Sequence, residues 1–339
     1  MAETVFLTGG TGFVGANLVR LLVSKGYRVR ALARKGSNRA NLNGLPVEAV
    51  EGGLLDREAL AAGCKGARFV FHLAADYRIW APDPSEMYRS NVDGTVALIE
   101  AASAAGCERV IYCSSVAAIK PPHDHVPADE SSRYGSVDEV VSDYKKSKYL
   151  AEVKALELAA KGAPVVVVNP AAPIGAFDIK PTPTGKIVVD FLNGRIPSYI
   201  DTGLNVVHVE DVANGHLLAA LKGKTGERYI LGGENLTLKQ LLDLLADVTG
   251  RPGPKFKTPY AVALAFGALD TARARMFGGE PLAPLDAVKM ARHYMWFDSG
   301  KAARELGYRS RPAKDALREA AQWFTANGYG PKPEALSSR

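Results

Sequence analysis

Tyr144 and Lys148 stand four residues apart within Ser142 to Lys161, a stretch whose pattern predicts a helix, so the two side chains share one face about one turn apart. A free tyrosine ionises at about pH 10, too high for ready proton exchange at neutral pH. A neighbouring ammonium stabilises the phenolate and lowers that value, which makes Tyr144 a candidate acid or base at a substrate oxygen. Ser115 follows Val110 to Cys113, a short apolar run that reads as a strand, and its hydroxyl is placed to hold the same oxygen. Each of these signals is common by itself. Their occurrence in this order behind a phosphate-binding loop is not.

That loop lies near the start of the chain. Val5 to Leu7 read as a short buried strand, and Val14, Leu18, Leu21 and Leu22 recur at helical spacing. Between them Gly9, Gly12 and Gly15 are spaced three apart. Glycine allows the tight turn and a close backbone approach, and the helix that opens there offers free N–H groups and a positive dipole end to a pyrophosphate. Strand, turn and helix together are the context such a motif requires. Where a second strand ends, an acidic residue would suit the ribose hydroxyls of NAD. Arg34 and Lys35 stand there instead, followed by Ser37 and Arg39. Cations at that place suit a 2′-phosphate, so NADP(H) is predicted; NAD(H) is the alternative in which Arg34 is a solvated charge stacked on adenine.

The elements that must position these groups alternate. Strands are predicted at Val29 to Leu32, Val47 to Val50, Phe69 to Leu73, Val110 to Cys113 and Val165 to Val168, with helices at Arg57 to Ala62, Met87 to Ala105 and Ser142 to Lys161. This implies an α/β fold, a doubly wound parallel sheet of Rossmann type, with a smaller mixed substrate lobe. Residues 1–170 form the expected dinucleotide-binding domain. A strand at Val206 to Val209 and a helix at Asp211 to Leu221 are assigned back to it, as 201–221. Residues 171–200 and 222–330 form the substrate lobe, and 331–339 a tail. Tyr229 to Leu231 read as a strand and Thr237 to Thr249 as a helix capped by Thr237.

The formal net charge of +6 is dispersed without a basic run, so nucleic acid is not an expected partner. Cys64, Cys107 and Cys113 are an odd set without metal-ligand spacing and read as reduced thiols of a cytoplasmic protein. No signal peptide pattern precedes the first strand. His123-x-His125 lacks a third ligand in view, so no metal is expected. Tyr260 to Leu269 are mostly apolar, with Arg273 and Arg275 beyond. That is short of the roughly 20 residues of a bilayer span. The favoured reading is a core helix of the small lobe; the sharper alternative is peripheral contact with a membrane surface.

With these residues in place, the chain resembles the extended short-chain dehydrogenase/reductases over nearly its whole length. Thr8 to Gly15 match Thr-Gly-x-x-Gly-x-x-Gly, His72-Leu73-Ala74-Ala75 match the segment passing along the cofactor, Asn91 to Thr95 match Asn-Val-x-Gly-Thr, and Asn169-Pro170 match the turn beside the nicotinamide. More narrowly, Ala74 to Trp80, Asp178 to Gly185 and Gly232 to Thr237 resemble bacterial hopanoid-associated sugar epimerases, which are close to dihydroflavonol 4-reductases. The resemblance implies Ser115, Tyr144 and Lys148 as the catalytic triad. It implies cofactor contacts at Gly9, Thr11, Gly12, Phe13, Val14, Arg34, Lys35, Leu54, Leu73, Ala74, Ala75, Asn91, Ser114, Tyr144, Lys148 and Pro170, and substrate contacts at Tyr77, Trp80 and Ile174. It also implies a sugar or hopanoid-type sugar-bearing lipid as substrate, and helix pairing that would make a homodimer. A ketone reductase and a redox-neutral sugar epimerase share this site; a non-catalytic NADP sensor ranks low because Tyr144 and Lys148 are both kept. Two departures stand out. Gly53 replaces the family's adenine-binding Asp, so weaker cofactor binding is expected, and Val116 and Ala117 replace the acid pair a sugar dehydratase needs.

Overall fold

Val5, Phe6 and Leu7 are all fully buried, and since successive strand residues point to opposite faces, the first strand must be covered on both sides. The computed structural model, which describes residues 2–78, 83–122, 125–279 and 281–331, shows how. Strand β1 (Thr4–Thr8) pairs in parallel with β2 (Arg28–Ala33) on one side and β4 (Phe69–His72) on the other, with Thr8 level with Leu32 and His72. β3 (Val47–Glu51) closes the edge beyond β2, while β5 (Arg109–Cys113), β6 (Val165–Pro170) and the strand Arg228–Leu231 extend the other side. All seven strands run parallel. The fold is thus a doubly wound sheet, and its strand order reverses between β1 and β4, the crevice where such sheets bind ligands.

Helix α1 (Phe13–Ser24) covers one face, where Leu18, Val19 and Leu22 meet Val5, Leu7 and Val29 in one apolar cluster. α2 (Arg57–Cys64), α4 (Gly94–Ala104) and α5 (Asp143–Ala160) cover the other, where Leu60, Leu98 and Ala151 meet Phe6 and Val70. The single helix predicted from Met87 to Ala105 is broken. A short helix, α3 (Ser85–Tyr88), passes through a π-helical turn at Arg89–Asp93 into α4.

The smaller lobe packs around a separate core that includes Val188, Phe191, Leu242 and Phe324. Its sheet joins Gly203–His208 to Glu234–Thr237, Tyr294–Met295 and Ala172–Ile174. Here the strand expected at Val206 to Val209 differs from its assignment: it pairs in the small sheet. Only the following helix, Val209–Lys222, returns to the main sheet, where its Val212 and Leu217 join the α1 cluster. Conversely Arg228–Leu231, expected in the small lobe, pairs with β6 in the main sheet. Pairing partners are chosen by tertiary contact, which a strand's own residues do not encode.

The helix Tyr260–Phe277 is a second correction. It buries only Gly267, Asp270, Thr271 and Ala274, so it is not a core helix. Among the described residues no helix is long and apolar enough to cross a membrane. Of the expected tail, only residue 331 lies within the described residues.

Candidate active site

The crevice is built by glycines at positions where a side chain has no room. Gly9 has φ +77°, and a Cβ there would lie 2.5 Å from the Ala74 amide nitrogen. A Cβ on Gly15 would lie 2.1 Å from the Gly9 carbonyl oxygen. The loop after β1 therefore presses against both the segment after β4 and the first turn of α1. Gly12 caps α1 in extended geometry, and no side chain satisfies the helix's first amides. Asn41 donates to the Thr11 carbonyl at 3.1 Å and holds the loop from outside. The bare backbone and the open helix end fit a pyrophosphate. Arg34 and Lys35, just past β2, are both exposed. A Cβ on Gly53 would meet nothing within 4 Å, so the missing adenine carboxylate is a matter of residue type and not of space.

At the other end of the crevice, Lys148 donates from Nζ to the Cys113 carbonyl at 2.8 Å, which fixes the buried ammonium under the end of β5. The Ser115 hydroxyl lies beside the Tyr144 phenol and favours its ionised form, and its Oγ accepts from the Ala117 amide at 3.1 Å. Burial raises the Tyr144 pKa, and the Lys148 ammonium and the Ser115 hydroxyl pull it back down. The pull from Lys148 has the sign expected from the four-residue spacing. The net displacement is upward, because desolvation is the larger effect. Helix α5 starts at Ser142, a non-glycine residue at φ +77° whose hydroxyl accepts from the Lys145 amide at 3.4 Å. This is a strained backbone of the kind that persists where the surroundings over-determine it.

Three sets of buried polar groups hold these side chains, and none was singled out from the sequence for that role. Asn91, expected against the cofactor, uses its amide within the protein. Oδ1 accepts from the Asp76 amide at 2.7 Å, and Nδ2 donates to the Asp76 carbonyl and to Ser147 Oγ, both at 2.9 Å. Ser147 in turn donates to the Tyr144 carbonyl at 2.8 Å. The π-helical turn is what brings Asn91 to that position. His72 lies between Thr8 Oγ1 (2.8 Å) and Thr95 Oγ1 (2.9 Å). Thr95 donates its own proton to the Asn91 carbonyl, so His72 carries its proton on Nε2. Burial, with Lys148 adding to it, holds the imidazole neutral with a pKa of about 3. Finally, Asn169 Nδ2 donates to the Ser115 carbonyl at 3.0 Å and to Glu152 at 2.6 Å, and Glu152 is ion-paired with Arg228 at 2.8 Å.

The remaining expected residues divide. Leu73, Ala74 and Ala75 are half-buried along the crevice, as is Leu54; Ser114 and Pro170 are buried at the ends of β5 and β6. Ile174 was expected to meet substrate, yet it is 1% exposed within the small-lobe core. Tyr77 is exposed. Trp80 and His123 lie outside the described residues. His208, Glu210 and Glu319 bring three potential metal-ligand atoms within 4.8 Å. Arg311, however, donates into that group, to His208 Nδ1 and to Glu210, and also to Asp211, so the cluster is paired internally.

One group beside the site carries a cost. Lys145, next to Tyr144, is 7% exposed, and its Nζ meets Met295 Sδ at 3.8 Å. Burial alone lowers its pKa from 10.5 to about 8. Between those values the unfolded chain binds the extra proton, so this group makes stability rise with pH through that window. Lys145→Met is therefore expected to stabilise the protein by about 3 kcal/mol at pH 7. That gain should shrink as the pH climbs from 8 toward 10.5. Denaturation midpoints across that range check it, and a pH-independent difference would count against it.

A parallel dinucleotide-type sheet with a glycine-lined switch point and a Tyr-Lys-Ser cluster at its edge defines an enzyme of the NAD(P)-dependent oxidoreductase and epimerase class, acting at a carbinol or ketone carbon. Comparison with known proteins agrees: residues 5–232 match the family model described as the NAD dependent epimerase/dehydratase family, and the chain belongs to that family. A relative described as a putative dihydroflavonol 4-reductase from Synechocystis sp. is 46% identical, covering 97% of this chain and 96% of its own. Sterol demethylase protein B from Methylococcus capsulatus is 34% identical, covering 96% and 99%. Among solved structures, a nucleoside-diphosphate-sugar epimerase from Pseudomonas aeruginosa superposes with a TM-score of 0.82 at 28% identity, covering 98% of this chain and 100% of its own.

Proposed function

We propose that the enzyme is an NADP(H)-dependent reductase of a ketone on a sugar or a sugar-bearing, hopanoid-type lipid. The observation that carries this reading is the contact set around Tyr144. Its phenol lies beside the Ser115 hydroxyl and near an ammonium that the Cys113 carbonyl holds in place. Burial keeps the phenol protonated at neutral pH, the form a ketone reduction needs. Ser115 and Tyr144 hold the substrate oxygen, and Tyr144 gives it a proton as the carbonyl becomes a carbinol. Lys148 offsets negative charge left on the phenol and is placed to hold the nicotinamide ribose. When bound, the nicotinamide supplies the hydride donor or acceptor. The glycine loop holds the pyrophosphate, and Arg34 and Lys35 meet the 2′-phosphate. The relatives support a ring-bearing substrate, since they are described as a dihydroflavonol reductase, a sterol demethylase protein and a nucleoside-diphosphate-sugar epimerase.

Incubation with NADPH, NADH or their oxidised forms and a panel of keto-sugars and lipid ketones tests the reading by cofactor absorbance and product stereochemistry. Net NADPH consumption is expected; inversion without consumption would replace reduction by epimerisation. Arg34→Ala is expected to weaken NADP(H) binding by roughly tenfold or more, since a charge-assisted bond contributes about 1.5–3 kcal/mol, and to leave NAD(H) affinity unchanged. An equal effect on both cofactors, measured by calorimetry, would remove the 2′-phosphate assignment.

A further inference from the structure

The apolar side chains of this protein are exposed unevenly. Of the twelve large hydrophobic residues found exposed among the described residues, seven lie between Phe256 and Leu282. Five of them, Val262, Phe266, Leu269, Met276 and Phe277, are on the helix Tyr260–Phe277. At about 100° per residue they fall within an arc of about 100°, opposite the buried Gly267, Thr271 and Ala274. Phe277 ends the helix at 81% exposure, and Leu282 follows it at 78%. Contiguous apolar surface on this scale marks an interaction site.

The charges around it select the partner. Residues 255–292 contain six lysines and arginines against three acidic residues. Asp270 is buried and paired with Arg273, and Asp286 is paired with Lys289. Lys255, Arg275 and Arg292 are exposed and have no ion-pair partner among the described residues. A second copy of this chain would bring the same cations face to face across a two-fold axis. Anionic headgroups would neutralise them. Arg273 stands within the apolar arc, but its long stem lets its charge reach a polar layer.

We propose that the helix Tyr260–Phe277 lies in the plane of an anionic bilayer surface, with Val262, Phe266, Leu269 and Met276 in the acyl boundary and the flanking cations among the headgroups. The chain runs on from this helix through a second, Leu285–Met290, into the strand Tyr294–Met295, and Met295 touches Lys145 beside Tyr144. Docking would therefore hold the crevice close to the lipid. A lipid-borne substrate rests on the function proposed above; the docking does not.

Vesicle flotation of the full chain, read without turnover, tests it. The protein is expected to float with vesicles of phosphatidylcholine and phosphatidylglycerol, and at least tenfold less with phosphatidylcholine alone. Phe266→Glu with Leu269→Glu should abolish flotation, and Arg275→Glu with Arg292→Glu should reduce it, with the melting temperature and cofactor affinity of the wild type retained. Absence of flotation by folded wild-type protein would overturn the proposal. So would flotation untouched by the Glu substitutions, or a dimer in sedimentation that the same substitutions dissociate.

Discussion

Tyr144→Phe is expected to lower turnover by roughly 10²–10⁴-fold, the usual contribution of a positioned acid or base, while cofactor affinity stays near wild type. The substitution keeps the ring and removes only the hydroxyl. Lys148 keeps its bond to the Cys113 carbonyl, and Ser115 keeps the Ala117 amide, so the surrounding frame stays in place. The pH profile adds a second readout. Reduction uses the protonated phenol, so its rate should fall at alkaline pH as that proton is lost. Lys148 lowers the Tyr144 pKa, so Lys148→Ala should move that alkaline limb upward as well as weaken binding. Turnover of Tyr144→Phe within threefold of wild type would remove Tyr144 from the chemistry.

Glu152→Ala is expected to cost about 3–5 kcal/mol of stability, because it strands one member of a buried ion pair. Glu152 and Arg228 are 3% and 8% exposed. Without the carboxylate, Arg228 keeps only carbonyl partners, Glu130 and Ser132, and Asn169 loses the acceptor at 2.6 Å that orients it. Asn169 holds the Ser115 carbonyl, so the damage should extend to turnover in whatever folded protein remains. Glu152→Leu combined with Arg228→Met removes both charges together and should restore much of the stability. Denaturant midpoints of the two variants against wild type decide this, and a loss below about 1 kcal/mol for Glu152→Ala would mean the pair is not desolvated as its burial implies.

What could be read from the chain beforehand was what is local along it. The glycine loop, the first six strands and the Tyr144–Lys148 spacing are each contained in a few residues, and each falls on the element predicted for it. The supports of the site are not local. Asn91 reaches Ser147, His72 reaches Thr8, and Glu152 reaches Arg228 across 56, 64 and 76 positions, and nothing in the flanking residues announces those partners. Asn91 matched a motif correctly in position, yet its amide turned out to serve the protein. The same limit explains Ile174, whose apolar character suits a core and a substrate pocket equally. It also explains the helix Tyr260–Phe277, because hydrophobicity alone does not say which face is covered.

The strand Arg228–Leu231 has a consequence for how the chain is made. It is the edge of the main sheet beside β6, but it follows three strands and a helix that lie outside that sheet. During synthesis from the N-terminus, the first six strands emerge long before their sheet has its last member. Until residue 228 appears, Glu152 has no Arg228 and the free side of β6 offers an unpaired edge, a template for wrong partners. The cofactor half is a unit in space and not in order of translation, so cutting the gene after β6 would not release a self-sufficient domain.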